Sequence, residues 1–462
     1  MRTILHIDFN SYFATVEQQA NPRLRGKPVG VTGGDRMKRT VIGAASVEAK
    51  RFGVRGGMAL WEAQKLCPEI ILVKGDSDKY LETTKRFLNI LKDYDPNLEV
   101  FSIDEVFLEV TPVILNKVKD LSTCLSPTSV GDSSLKTPQN DNFIYVMKIA
   151  REIKSRIYTE IGEVVTCSIG ISYNKLMAKL AGSLYKPDGL VVIADEQAAQ
   201  FILDRVDLDE ICGIGRQIKK RLLNMGITNF QNLRKASKES LVASFKSYGE
   251  TLYNMSRGID KNPVIPFFEK EEVKSIGHRH TLNHDTNDPL EIKQLLLKLT
   301  ELIARRLRNK KLVGRTVSCF YREAFNFSFG AAQHTFIGGG MQVTIPYTND
   351  GLDIFKAAES IFSQVWHPSA GHSTLKDELS GSDSKSSGQV RMIGVSISNL
   401  KPKLPETLSL LEETHKQETM IRVIDKINDK FGEFTLQRGV LLNSSKVTRK
   451  ANPFLADRRF KI

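Results

Sequence analysis

Apolar and polar positions along this chain alternate between two periods, and each change of period marks an element. Thr3 to Phe9 (TILHIDF) is an apolar run of strand type, and Leu98 to Val110 (LEVFSIDEVFLEV) repeats its Ile, Val, Leu and Phe content. Between them the pattern predicts a helix from Tyr12 to Gln19 and short strands at Val29 to Thr32 and Thr40 to Ala44. A helix then runs from Ser46 until Gly53, and another from Leu60 to Leu66 stops at Cys67 because Pro68 excludes helical geometry from the residue before it. Tyr80, Phe87, Leu88, Leu91 and Tyr94 recur at helical spacing across Lys79 to Tyr94. A helix at Phe143 to Ile161 and a strand at Val164 to Ile171 follow. Ser172 is then expected to cap a helix on which Lys175 and Lys179 share a face.

Residues 195–263 read as all-helical, and 264–272 as a linker. Beyond it the order is strand (Val273 to Thr281), helix (Pro289 to Lys310), strand (Arg315 to Arg322), hairpin (near Gln333 to Ile345), helix (Asp350 to Val365) and strand (Gln389 to Ser398). That alternation implies an α+β domain with a sheet on one side. A tail from Lys401 carries a helix at Glu412 to Phe431. Two stretches rich in small polar residues, about 112–142 and 367–388, interrupt the periodicity and read as insertions.

A length of 462 residues suits about three domains. The formal net charge of +13 suits a polyanionic partner, although solubility alone would tolerate it. Five cysteines without CxxC spacing point to free thiols in a reducing cytoplasm, and the eight histidines form no metal-ligand pattern. No signal peptide opens the chain and no apolar run reaches membrane-spanning length, so a cytoplasmic location is expected.

The chemistry lies in the two opening runs. Asp8 interrupts the first, and Asp104 with Glu105 interrupts the second, where a plain strand would carry hydrophobes. Ionised carboxylates among apolar residues are costly unless a cation meets them, so a divalent metal is one resolution. An ordinary hairpin turn capped by Asp104 and Glu105, with Asp8 ending an edge strand, is the other. Neighbours on a straight strand point to opposite faces, so Asp104 and Glu105 reach one site only if the backbone turns there. Ile211 to Ile227 (ICGIGRQIKKRLLNMGI) has the outline of a helix-hairpin-helix, whose amides at Gly213 and Gly215 and basic residues Arg216, Lys219 and Lys220 suit phosphate contact. A plain helical hairpin has the same outline.

The run HIDFNSYFATVEQ, with SIDEVFLEV about a hundred residues later, resembles the two metal-binding motifs of the Y-family DNA polymerases, the translesion class, and their bacterial DNA polymerase IV branch in particular. The segment NKLMAK followed by KPDG resembles a further signature of that family. The likeness covers about residues 1–400, interrupted by the two insertions.

It implies a right-hand polymerase of α+β class. Palm would be 1–18 and 77–194, fingers 19–76, thumb 195–263 and little finger 273–400, followed by a tail at 401–462. It implies two magnesium ions: Asp8 and Asp104 bridge both, Glu105 binds the catalytic one, and the Phe9 carbonyl completes the nucleotide-side one. Phe13 becomes the steric gate against ribonucleotides. Phe9, Asn10, Ser11, Tyr12, Phe13, Ala44, Lys50 and Lys186 become the deoxynucleoside triphosphate site. The family presents a hydroxyl, a tyrosine and an arginine where this chain has Ala44, Val47 and Lys50, so only Lys50 still supplies charge there. Gly33, Gly43 and Ala44 would leave room above the nascent base pair.

Primer-template DNA is the implied partner, through Lys175, Lys179, Gly213, Gly215, Arg216, Lys219, Arg279, Arg315, Arg322 and Arg391. Residues 406–411 (ETLSLL) have the form of a sliding-clamp ligand, with Thr407, Leu408, Leu410 and Leu411 as its contacts. The chain is expected to act as a monomer, with low fidelity, and no segment resembles a proofreading exonuclease. Two rivals are a non-catalytic DNA-binding scaffold of the same fold and a metal-dependent nuclease.

Overall fold

A computed structural model describes residues 2–33, 40–110, 138–269, 272–324, 338–367, 388–403, 412–432 and 434–442. The basic loop at Arg36, Lys38 and Arg39, nearly all of both expected insertions, Cys124 and the expected clamp segment (Thr407, Leu408, Leu410, Leu411) lie outside them. The chain divides into two compact units that meet in sequence at Lys270 and Glu271.

In chain order the first unit comprises β1 (Thr3–Phe9), α1 (Tyr12–Ala20), β2 (Val29–Thr32), β3 (Ile42–Ala45), α2 (Val47–Arg51), α3 (Leu60–Leu66), β4 (Ile71–Lys74), α4 (Ser77–Lys92), β5 (Leu98–Val100) and β6 (Glu105–Val110). It continues with α5 (Pro138–Glu160), β7 (Cys167–Ser172), α6 (Lys175–Leu184), β8 (Leu190–Ile193), α7 (Glu196–Leu203), α8 (Arg216–Asn224), α9 (Phe230–Lys235), α10 (Lys238–Phe245) and α11 (Ser247–Met255). The second unit comprises β9 (Ser275–Thr286), α12 (Pro289–Asn309), β10 (Leu312–Glu323), β11 (Gly340–Thr348), α13 (Gly351–Val365), β12 (Val390–Ser398), β13 (Lys401–Pro402) and α14 (Glu412–Phe431).

The central sheet of the first unit has the order β5-β6-β1-β7-β8. Successive side chains on β1 point to opposite faces. Leu5, Ile7 and Phe9 enter a large core with Phe87, Leu88 and Leu91 of α4 and Ile149, Ile153 and Ile157 of α5. Ile4 faces the other way, toward Phe107 of β6 and Ala178 of α6. That second face is thin because α6 lies almost against the backbone of β7: a Cβ at Gly170 would come within 2.1 Å of the Ala178 carbonyl oxygen and 2.2 Å of the Gly182 nitrogen. A small sheet, β3-β2-β4, packs on α2 and α3 through Ile42, Ala49, Leu60 and Ala63. The helices α7 to α11 pack around Leu203, Leu222, Phe230 and Leu241 in a core that α6 joins through Leu176, Met177 and Leu180. In the second unit α12 and α13 supply Leu299, Ile303, Ile354 and Ile361 to the core on one side of the sheet β11-β10-β12-β9. The tail helix α14 joins α12 through a bidentate Arg308–Asp425 pair at 2.6 and 2.8 Å.

Several elements depart from the periodic reading. Asn174, not Ser172, caps α6, its side chain accepting from the Met177 N–H at 2.9 Å. Ser172 is instead the last residue of β7, and its hydroxyl donates to the Ile193 carbonyl. Strand β9 runs five residues past Thr281, and α5 begins at Pro138, within the expected insertion. β4, which pairs in parallel with β2, was not anticipated. Cys67, Cys167 and Cys319 are buried free thiols, and Cys212 is an exposed one.

The contact at Gly170 yields a stability prediction. Gly170→Ala should lower unfolding stability by about 3 kcal/mol, the upper end of overpacking costs, because the opposing atoms are backbone and cannot swing aside. Denaturant titration checks this, and a loss under about 0.5 kcal/mol would contradict the close approach.

Candidate active site

The site grows from one strand register. β1 and β6 pair antiparallel with Asp8 opposite Glu105, and residues directly opposite present side chains on the same face. Asp104 lies one residue before β6, in a bend over 102–104. The Phe9 N–H donates to the Asp104 carbonyl at 3.0 Å, which closes the bend onto the end of β1. The expected turn is therefore present, and it brings both acids of the second run to the end of the first.

Electrostatics report how close these groups are. Burial raises the Asp104 carboxyl above its usual range; a hydrogen bond from the Ser102 hydroxyl at 2.5 Å opposes the rise, and the Asp8 charge adds to it. Lys186 places its ammonium 2.7 Å from Asp8 Oδ2. Lys50, at the surface end of α2, is also drawn into this field: partial desolvation lowers its ammonium below the usual range, Lys186 adds to the effect and Asp8 counters it. Glu105 is buried, and its Oε1 accepts from Lys179 Nζ and meets His6 Nε2.

His6 is the residue that sequence reasoning missed. Its imidazole is 1% exposed, and burial, followed by the Lys179 charge, pushes it down to about 3. His6, Asp8 and Glu105 each offer one ligand atom within 4.8 Å of the others. The available signal was the period of two that puts His6 on the face of Asp8.

The connection after β1 is built as tightly. Asn10 is buried, donating to Thr166 Oγ1 at 3.1 Å and accepting from the Ser168 hydroxyl at 3.0 Å. Ser11 is in the left-handed region (φ 48°), and its buried hydroxyl has no hydrogen-bond partner among the described residues. Tyr12 turns its side chain into the core, where its hydroxyl donates to the Tyr80 carbonyl at 2.9 Å. Tyr12 can therefore meet a nucleotide only through its main chain. Phe13 is half-buried, its ring stacked on that of Tyr80 with centroids 4.7 Å apart. Ala44 and Val47 are half-buried, one on β3 and the other at the start of α2.

Among the residues expected to meet DNA, several already have protein partners. Lys175 holds Glu99 at 2.7 Å, Lys179 holds Glu105, Lys219 holds Asp209 at 2.6 Å, and Arg391 forms a bidentate pair with Asp285 at 2.8 Å. Gly213 has φ 108° and Gly215 precedes α8, whose first residue is Arg216. In the second unit Arg279 and Arg315 are exposed. Arg322 is held below its usual range by burial and then by the charges of Arg391 and Arg279, which places these three guanidinium groups in one field.

Comparison with known proteins follows the same outline. Residues 7–183 match the impB/mucB/samB family, residues 273–410 its C-terminal domain, and residues 209–260 the thumb domain of DNA polymerase iota. DNA polymerase IV of Pelotomaculum thermopropionicum is 33% identical over 449 residues, covering 97% of each chain. That of Moorella thermoacetica is also 33% identical, over 96% of this chain and 97% of its own. The Listeria innocua enzyme is 31% identical over 88% of this chain and 98% of its own. A Y-family DNA polymerase chimera shares the fold, with a TM-score of 0.62 and 24% identity over 87% of this chain and 99% of its own. The chain belongs to the impB/mucB/samB family, the Y-family DNA polymerases, among the enzymes called DNA polymerase IV.

Proposed function

We propose that this chain extends a primer on damaged template through a site built on Asp8, Asp104 and Glu105. It is a DNA-directed DNA polymerase of the translesion class and needs a divalent metal. The observation that carries the site is the register of β1 on β6, with the Phe9–Asp104 backbone bond setting the third acid beside the first two.

The donor set fits a hard cation: Asp8 and Glu105 share one face, Asp104, raised chiefly by burial, is tied to the end of β1 by its main chain, and oxygen is the only atom type the three carboxylates offer. Asp8 and Asp104 would serve both of two magnesium ions, Glu105 would hold the catalytic one, and the Phe9 carbonyl would hold the nucleotide-side one. Bound metal supplies Lewis acidity to the primer 3′-hydroxyl and neutralises charge on the departing pyrophosphate.

The remaining work falls to side chains already in place. Lys186 and Lys50 lie in the field of Asp8, where they suit the triphosphate of a bound nucleotide. Lys50 compensates in part for the hydroxyl and tyrosine that Ala44 and Val47 do not provide. Asn10 and Ser11 shape the turn over which that triphosphate would lie. Phe13, backed by Tyr80, would meet the sugar of a bound nucleotide and collide with a 2′-hydroxyl. Gly43 and Ala44 leave space above the base pair.

The subdomain bounds follow the same reading: palm at 1–18 and 77–194, fingers at 19–76, thumb at 195–263, little finger at 273–400. Primer-template DNA would meet the Gly213–Gly215 turn, Arg216 and the strand-borne Arg279, Arg315, Arg322 and Arg391. Clamp binding through 406–411, action as a monomer and a cytoplasmic location complete the proposal. Among the described residues no helix is long and apolar enough to cross a membrane. All three acids are present at one strand end, so nothing favours a non-catalytic scaffold.

Two predictions test the site. Asp104→Ala should reduce primer extension at least 1000-fold while duplex affinity stays within about threefold, read by gel extension and fluorescence anisotropy; synthesis at a tenth of the parent rate would remove Asp104 from the site. Phe13→Ala should raise ribonucleotide incorporation by about two orders of magnitude relative to deoxynucleotide, and unchanged sugar selectivity in single-nucleotide kinetics would return Phe13 to a core role.

A further inference from the structure

We infer that His6 is a positioning residue for Glu105, fixing that carboxylate so that one chosen oxygen is left for the catalytic ion. The inference rests on the reading of Glu105 as a metal ligand. Its support is the way the ring is held. The imidazole lies against the Phe107 ring, centroids 4.8 Å apart, and on the α6 side it abuts Gly182, where a Cβ would approach Nδ1 to 2.9 Å. The ring is thus caged by β6 and α6.

The ring meets the carboxylate through one nitrogen: Nε2 faces Glu105 Oε1 and, a carboxylate oxygen being an acceptor, serves as the donor. Nδ1 has no hydrogen-bond partner among the described residues. Lys179, from the helix that carries Gly182, donates to the same oxygen. Two donors on Oε1 leave Oε2 to turn toward Asp8 and the ion.

The two donors are not equivalent. Lysine is a point charge on a flexible stem, whereas a caged imidazole has a fixed direction. A ligand side chain with several rotatable bonds keeps its geometry only if such neighbours hold it, and outer partners of this kind typically change metal affinity or activity 10- to 100-fold.

The test compares His6→Leu, which removes the donor, with His6→Gln, whose amide N–H can reach the same oxygen. Manganese affinity is read by electron paramagnetic resonance, alongside kcat and KM. His6→Leu should weaken manganese binding and lower kcat by 10- to 100-fold each while nucleotide KM stays within about twofold, and His6→Gln should recover both to within about threefold. Parent-like manganese binding and kcat in His6→Leu would overturn the inference. So would a His6→Gln no better than the leucine variant, which would make the role one of packing. A loss of manganese but not magnesium usage would make His6 a ligand and overturn it too.

Should His6→Leu fail to fold, Gly182→Ala displaces the ring with His6 intact. It should show the same kcat loss, and an unaffected Gly182→Ala would count against the cage. Glu105→Gln separates the two levels: if it is inactive while His6→Leu is normal, only this inference fails, and if it is fully active, the reading of Glu105 as a ligand fails first.

Discussion

Like-charge repulsion at the end of two strands is the constraint to which the rest of the first unit answers. Two unit charges about 4 Å apart in a partly buried setting interact by roughly 4 kcal/mol, more than the ~1 kcal/mol a hydrogen bond contributes, so acids grouped in this way would part if the backbone allowed it. It does not. Six residues of β1 pair with β6 and six with β7, and Leu5, Ile7 and Phe9 are locked in the core beneath. The ladder holds the carboxylates where a cation is the favourable resolution, with Lys186 and Lys179 balancing part of the charge from α6 and the turn after it.

The same logic explains why small residues line the thin face of the sheet. Gly170 lets α6 approach, and the approach sets Gly182 against His6 and Lys179 against Glu105. A bulkier face would move the helix outward and with it two partners of the site. Packing and chemistry are thus one arrangement: the glycines are part of the active site although they offer it no side chain.

Much of this was legible in the chain. The acids stood out because they broke apolar runs, and the turn between Asp104 and Glu105 followed from strand alternation. Other features were not readable, for identifiable reasons. His6 shares the face of Asp8 by strand alternation, but in an apolar strand it also has the pattern of an ordinary core residue, and its contact with Glu105 is what distinguishes the two. Lys175 and Lys179 at helical spacing resemble a solvated or DNA-facing pair, but Glu99 and Glu105, more than seventy residues earlier, turn them inward. Ser172 and Asn174 are both good caps; the strand claims the first through Ile193, which leaves the second to the helix. The parallel strand β4 escaped notice because its partner β2 lies some forty residues away, across two helices. β9 runs on to Thr286 because that residue pairs with Val390 across an irregularity in the ladder with β12, a long-range contact that the polar residues before it do not signal.

The most direct test of the account is anomalous diffraction from crystals of the chain with primer-template, an incoming nucleotide and manganese. Two manganese peaks in contact with Asp8 and Asp104, one of them also reaching Glu105, are the predicted result. Manganese peaks only elsewhere, with none within coordination distance of Asp8 or Asp104, would contradict it.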